Sequence, residues 1–160
     1  MGTVTKTTEM AMIQVANIKK GESYDLYIGR ANRHLNLPES KWRNPFPLKK
    51  EALRLECLSA CLAYALHRPD LILDLPDLDG KTLGCYCKPK LCHGQIWIGL
   101  RALQKKDQLE IPPPPWGMGK VVRVKVPLDG NPDYALIKTL VESSSWPEHL
   151  ISHLSGETTS

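Results

Sequence analysis

The sequence predicts an α/β fold: a small two-layer or three-layer Rossmann-like sheet with helices, followed by a C-terminal βα extension. Three observations carry that expectation. Residues 13–104 read in the order strand, loop, helix, strand, helix, which suits layers packed on a sheet. Strand ends that run into loops or helix starts place function along one edge of such a sheet. The chain has 160 residues, of which 42% are apolar, enough to bury a core without disulfides or metal.

The elements follow in order. Ile13–Ile18 alternates enough for a strand, and Lys19–Ser23 turns through Gly21. Tyr24–Gly29 is a second strand; the two could form a hairpin, or the first could be an edge strand. Arg30–Pro47 carries Pro38, Pro45 and Pro47 and reads as a long loop anchored by Trp42 and Phe46. From Leu48, the recurrence of Leu55, Leu58, Leu62 and Ala65 predicts a helix that Pro69 stops. Leu71–Leu75 is ambiguous, and Pro76 to Gly80 is a break. Lys81–Cys87 reads as a buried strand weakened by Gly84, and Cys92–Leu103 as a helix. Beyond four consecutive prolines, Pro112–Pro115, come a strand at Val121–Val126, a turn and a helix at Tyr134–Glu142. Ser145, Trp146 and Pro147 resemble a further helix start. The predicted organisation is a tail at 1–11, an α/β domain at 12–104, a Pro-rich linker at 105–119, a βα extension at 120–155 and a tail at 156–160.

Composition narrows the function classes. No window is long and apolar enough to span a membrane, and the first residues lack a basic segment followed by an apolar stretch. Five cysteines, an odd number, argue against a secreted disulfide framework and for reduced thiols in a cytoplasmic setting. A net charge of +4 permits phosphate contacts without demanding them.

The densest chemistry is GCYCKPKLCHG, Gly84–Gly94. On a strand Cys85 and Cys87 face the same side, while Cys92 and His93 open the next helix, where N–H groups and the helix dipole favour a thiolate or an anion. Thiolate and imidazole suit zinc, so Cys85, Cys87, Cys92 and His93 are candidate metal ligands and zinc the candidate cofactor. The spacing C-x-C-x4-C-H is poor for a self-contained knuckle, so only some of the four are expected to ligate one ion. Without metal, Cys92 and His93 become candidates for nucleophilic chemistry. The bland reading is that a strand cysteine is a small buried hydrophobe. Cys57 and Cys61 border the apolar stripe and read as core; His67, His149 and His153 read as surface.

The second candidate surface is the basic loop. Arg30, Lys41 and Arg43 could hold a phosphate, and Trp42 could stack on a base. The alternative is a solvated loop with Trp42 as a core plug and Asn44 as a turn residue. No P-loop or G-x-G-x-x-G occurs.

YIGR at Tyr27–Arg30, SKWRNPF at Ser40–Phe46 and GKTLGCYCKPKLCHG at Gly80–Gly94 fall in one order. Together they resemble the domain of unknown function numbered four-three-two-six, of phages, bacteria and some eukaryotes and their viruses. The resemblance spans about Val15–Leu103 and leaves Lys105 onward outside it. It implies that Arg30, Ser40, Lys41, Trp42, Asn44, Pro45, Cys85, Cys87, Pro89, Cys92 and His93 form one site assembled from loops. It implies no reaction.

Taken together, the expectation is a pocket between the basic loop and the Cys/His segment, binding a nucleotide or nucleic acid, with enzymatic action on nucleotides open. The competing expectation is a non-catalytic, zinc-stapled interaction module. Its C-terminal segment would contact a protein partner or a second copy.

Overall fold

The computed structural model describes residues 12–46, 48–86, 90–117, 120–127 and 129–142, and the backbone of Ile151–Leu154. Strand β1, Gln14–Asn17, runs from exposed to buried and ends where Asn17 caps a single 3-10 turn. The Asn17 side chain accepts the Lys19 N–H at 2.8 Å, and Gly21 closes the turn in the left-handed region at φ 78°. Strand β2 is Leu26–Tyr27.

Helix α1, Arg54–Leu66, starts later than the apolar recurrence suggests. Lys50 is still extended, and a 3-10 turn at Glu51–Leu53 intervenes, so Leu48 faces a cleft instead of extending the helical stripe. α1 buries Leu58, Cys61, Leu62, Ala65 and Leu66. Pro69, which stops it, is also the first residue of α2, Pro69–Leu73, where a missing N–H costs nothing. The ambiguous Leu71–Leu75 is therefore helical, and with a 3-10 turn at Leu75–Leu78 it sinks Leu71, Ile72, Leu75 and Leu78 into the core.

Strand β3, Thr82–Cys85, is central. It pairs parallel with β1, Gln14 opposite Thr82 through Asn17 opposite Cys85, and parallel with β2, Leu26 opposite Leu83. The order β1-β3-β2 means that the first two strands do not pair with each other, so they form no hairpin. The chain joining them must cross β3, and it does so at Gly84. A Cβ there would meet the Tyr24 ring at 2.7 and 2.8 Å and Ile18 Cδ1 at 3.0 Å. The glycine that weakens the strand pattern is what lets the crossover lie flat on the sheet. The ring atoms in contact include Cγ, at the root of the ring, so Tyr24 cannot simply swing aside. Gly84→Ala is expected to cost about 1–3 kcal/mol. Thermal unfolding checks it, and an unchanged midpoint would refute the close crossover.

Helix α3, His93–Lys105, packs on the other face, with Gly94 against Val15 and Ile28. Strand β4, Leu109–Glu110, lies within the proline-rich stretch and pairs antiparallel with β5, Arg123–Val126. Helix α4, Ala135–Glu142, meets α3 closely at Gly99, where a Cβ would approach Ile137 Cδ1 to 2.7 Å. Strand β6, Ile151–Leu154, runs parallel to β5. The pattern shows neither β4 nor β6, because each is short and lacks alternation. The helix start read at Ser145–Pro147 lies outside the described residues, as do the tails at 1–11 and 156–160. Val122, Val124, Val126, Ile137 and Leu140 share one continuous core with Trp97, Leu100 and Leu103. The class is α/β, a three-stranded parallel sheet flanked by helices with a small second sheet, as the sequence predicts. No helix among the described residues is long and apolar enough to cross a membrane.

Candidate functional site

The carboxyl ends of β2 and β3 open into a cleft of about 280 Å³, closed on its other sides by Asn44, Phe46 and Leu48, the start of α1 and His93. Open α/β sheets bind ligands at this edge because the strands stop there and loops supply the side chains. Tyr27 and Tyr86 stand edge to face, 6.2 Å between centroids at 73°. The Tyr27 hydroxyl donates to the Arg30 carbonyl at 2.6 Å, and the Asn32 amide donates to the Tyr86 hydroxyl at 2.8 Å. Burial, then the hydrogen bond with Tyr86, pushes the Tyr27 phenol up to about 12, so it remains a proton donor.

Two guanidinium groups reach the cleft. Arg30 is exposed and forms no ion pair among the described residues. Arg54 is held in place: it donates to the Leu91 carbonyl at 2.7 Å and pairs with Glu51. Its hydrogen bond, and then that of Lys90, holds the exposed Glu51 carboxyl down at about 2. Asn44 shapes the wall; its carbonyl accepts the Phe46 N–H at 2.9 Å, and its amide donates to Cys57 Sγ at 3.4 Å.

The Cys/His segment is built by the join of β3 to α3. β3 ends on Cys85, and Cys92 is the N-cap of α3. Cys92 Sγ accepts the Gly94 N–H at 3.4 Å, while the Gln95 side chain accepts the Cys92 N–H at 3.2 Å, a reciprocal capping box. His93 is buried, and its Nε2 meets the Ile28 carbonyl at 2.7 Å. A carbonyl only accepts, so Nε2 carries the proton and Nδ1, 3.7 Å from Cys92 Sγ, faces the thiols. The Cys85 and Cys92 sulfurs lie 3.0 Å apart. Cys87 lies outside the described residues. Among the described residues, no group of three or more His, Cys, Asp or Glu could hold a metal ion; Cys92 Sγ neighbours Cys85 Sγ and, at 3.7 Å, His93 Nδ1.

The fold distributes the remaining candidates differently. Trp42 is buried edge-on against Trp97, 4.9 Å between centroids, and its carbonyl accepts the Trp97 indole N–H at 2.9 Å. It is the core plug of its two readings, because neither ring face is open for a base. Lys41 pairs with Asp74 at 2.8 Å, and Arg43 with the Ser40 carbonyl at 3.2 Å and Glu39 at 3.5 Å. Ser40 donates its N–H to the Gly29 carbonyl and accepts the Trp42 N–H on Oγ, both at 3.0 Å. Ser40, Lys41 and Trp42 bind the loop to the domain and Arg43 ties the loop to itself; none of the four lines the cleft, whereas Arg30, Asn44, Cys85 and His93 do. Cys61 is core, its thiol pushed up to about 12 by burial and then by Cys57.

Sequence reasoning missed Tyr27, Asn32, Arg54 and Tyr86. The signal for Tyr27 and Asn32 was present, since both border the end of a predicted strand. Arg54 opens α1 beside its apolar stripe and shows no distinguishing pattern.

A sequence model of a domain of unknown function (DUF4326) matches residues 13–101. An uncharacterized protein, R718, of Acanthamoeba polyphaga mimivirus is 35% identical over 95 residues, 53% of this chain and 72% of the viral one. No solved structure matches the chain.

Proposed function

The chain belongs to the DUF4326 family, and from that premise we propose that it binds a small phosphate-bearing ligand, a nucleotide, in the cleft at the carboxyl ends of β2 and β3. The observation that carries this reading is the convergence of Arg30, Arg54 and the start of α3 on one opening. Glu51 pairs with Arg54 through both carboxylate oxygens and Lys90 lies 3.4 Å from the same carboxylate, so the group stays net positive and Arg30 is the guanidinium whose fork meets a ligand. Arginine suits phosphate because its planar fork makes parallel charge-assisted hydrogen bonds. Tyr27 and Tyr86 offer aromatic surface for a base, while the Asn32 and Asn44 amides, bonded to Tyr86, Leu35, Phe46 and Cys57, hold the wall beside them.

Size favours a nucleotide over a nucleic acid. At about 280 Å³ the cleft sits near the lower end of small-ligand pockets, roughly 300–1,000 Å³. A strand of nucleic acid needs an extended basic groove with successive stacking platforms. Lys41, Arg43 and Trp42, which could have supplied one, are engaged elsewhere.

Titration calorimetry at low salt is the test. Nucleoside mono- and diphosphates are expected to bind at one site per chain, at least about tenfold more tightly than the matching nucleosides, because the charged contacts contribute about 1.5–3 kcal/mol. Silence with every nucleotide, or nucleosides binding equally well, would overturn the proposal. The zinc-stapled alternative predicts that silence together with stoichiometric zinc in the purified protein.

A further inference from the structure

Cys85 and Cys92 are seven positions apart in sequence, but the fold brings their sulfurs to 3.0 Å. Both are nearly inaccessible, at 2% and 1% exposure, yet Cys85 lines the cleft and Cys92 does not. Two thiolates on one tetrahedral zinc, each about 2.3 Å from the metal, stand about 3.8 Å apart, so this approach is closer than shared ligation requires. His93 is turned so that Nε2 is bound to the Ile28 carbonyl of the sheet. Cys92 is placed as the resolving partner: as the N-cap of α3 it is held by the Gly94 N–H at 3.4 Å, with its sulfur against that of Cys85. Cys61, by contrast, is buried in the core away from the cleft, and Cys57 Sγ donates to the Phe46 carbonyl at 3.3 Å.

We propose that Cys85 and Cys92 are a reversible dithiol/disulfide couple, with hydrogen peroxide, admitted through the cleft, as the oxidant. The Cys85 sulfur attacks one peroxide oxygen and the O–O bond breaks. The departing hydroxide takes the Cys85 thiol proton and leaves as water, and Cys85 becomes a sulfenic acid. The Cys92 sulfur then attacks the Cys85 sulfur, the S–O bond breaks, and the departing hydroxide takes the Cys92 thiol proton and leaves as water. Two sulfurs lose two electrons in all, the peroxide gains them, and one S–S bond remains. The couple needs only that peroxide reach Cys85 through the open cleft, so it stands or falls independently of the nucleotide reading.

The test uses the full chain, reduced with dithiothreitol, desalted and treated with a few equivalents of peroxide. Intact mass is expected to fall by two hydrogens, and non-reducing peptide mapping to join Cys85 to Cys92; dithiothreitol should restore both thiols. Cys92→Ser keeps a capping oxygen at the start of α3, so it is expected to fold. That variant should accumulate a sulfenic acid at Cys85 that dimedone captures. The proposal is overturned by any of three results: both thiols still alkylate fully after peroxide, the native disulfide maps to another pair, or the reduced protein holds stoichiometric zinc that blocks oxidation.

Discussion

Arg30→Ala is expected to weaken nucleotide binding by about tenfold to a hundredfold and to leave thermal unfolding unchanged. The magnitude follows from losing charge-assisted hydrogen bonds of about 1.5–3 kcal/mol, at about 1.4 kcal/mol per tenfold in Kd. The selectivity of the effect follows from exposure: Arg30 lies on the rim and forms no ion pair among the described residues, so no folded contact of its guanidinium is lost. Lys41→Ala is the control. Its ammonium is engaged by Asp74 and lies over the Trp42 ring at 5.1 Å, outside the cleft lining. Calorimetry of both variants separates the two cations of the basic loop. Equal losses, or no loss at Arg30, would return the anion site to the surface of the loop.

Trp97→Ala is expected to destabilise the domain by about 3–5 kcal/mol, the usual cost of emptying a buried aromatic site. Domains of this kind are held by roughly 5–15 kcal/mol, so the variant sits near the limit of folding. Trp97 is fully buried in α3, and it anchors the basic loop in two ways: its ring meets Trp42 edge-on, and its indole N–H satisfies the Trp42 carbonyl. Trp97→Phe keeps most of the ring but leaves that carbonyl without its donor, at a cost of about 1–3 kcal/mol. Urea unfolding of the two variants measures both terms. A Trp97→Ala protein within about 1 kcal/mol of the parent would show that the loop is anchored elsewhere.

Periodicity and punctuation made the core helices legible. Leu58, Leu62 and Ala65 marked the buried face of α1, and Ile96, Leu100 and Leu103 that of α3, because a helix repeats its buried positions regularly. Strand pairing was not legible. Adjacent in sequence, β1 and β2 could be hairpin partners or β1 an edge strand, which it is; nothing local chooses between the two or reports that β3 lies between them. Gly84 was the one hint, and its meaning appears only when Tyr24 lies over it. At the site, GCYCKPKLCHG stood out by composition, whereas the basic loop misled. Lys41 looks identical to a ligand-binding residue until its partner Asp74 arrives from another part of the fold, whereas the partners of Arg43, Glu39 and Ser40, lie four and three residues before it in the same loop. Charge is visible in a sequence, but neutralisation by a distant carboxylate is not.

The placement of β3 between β1 and β2 also sets the order in which the molecule can assemble. Gln14 finds its partner in Thr82 and Leu26 in Leu83, so every pairing in the parallel sheet joins distant parts of the chain. During synthesis β1 and β2 are made before β3, so their pairings must wait until the cysteine-bearing strand emerges. Non-local pairings of this kind raise contact order and slow folding, because a long loop must close before any contact rewards it. The helices and turns between residues 51 and 78 can form earlier from local contacts. The cleft, whose walls are the ends of β2 and β3, is thus among the last features the chain completes.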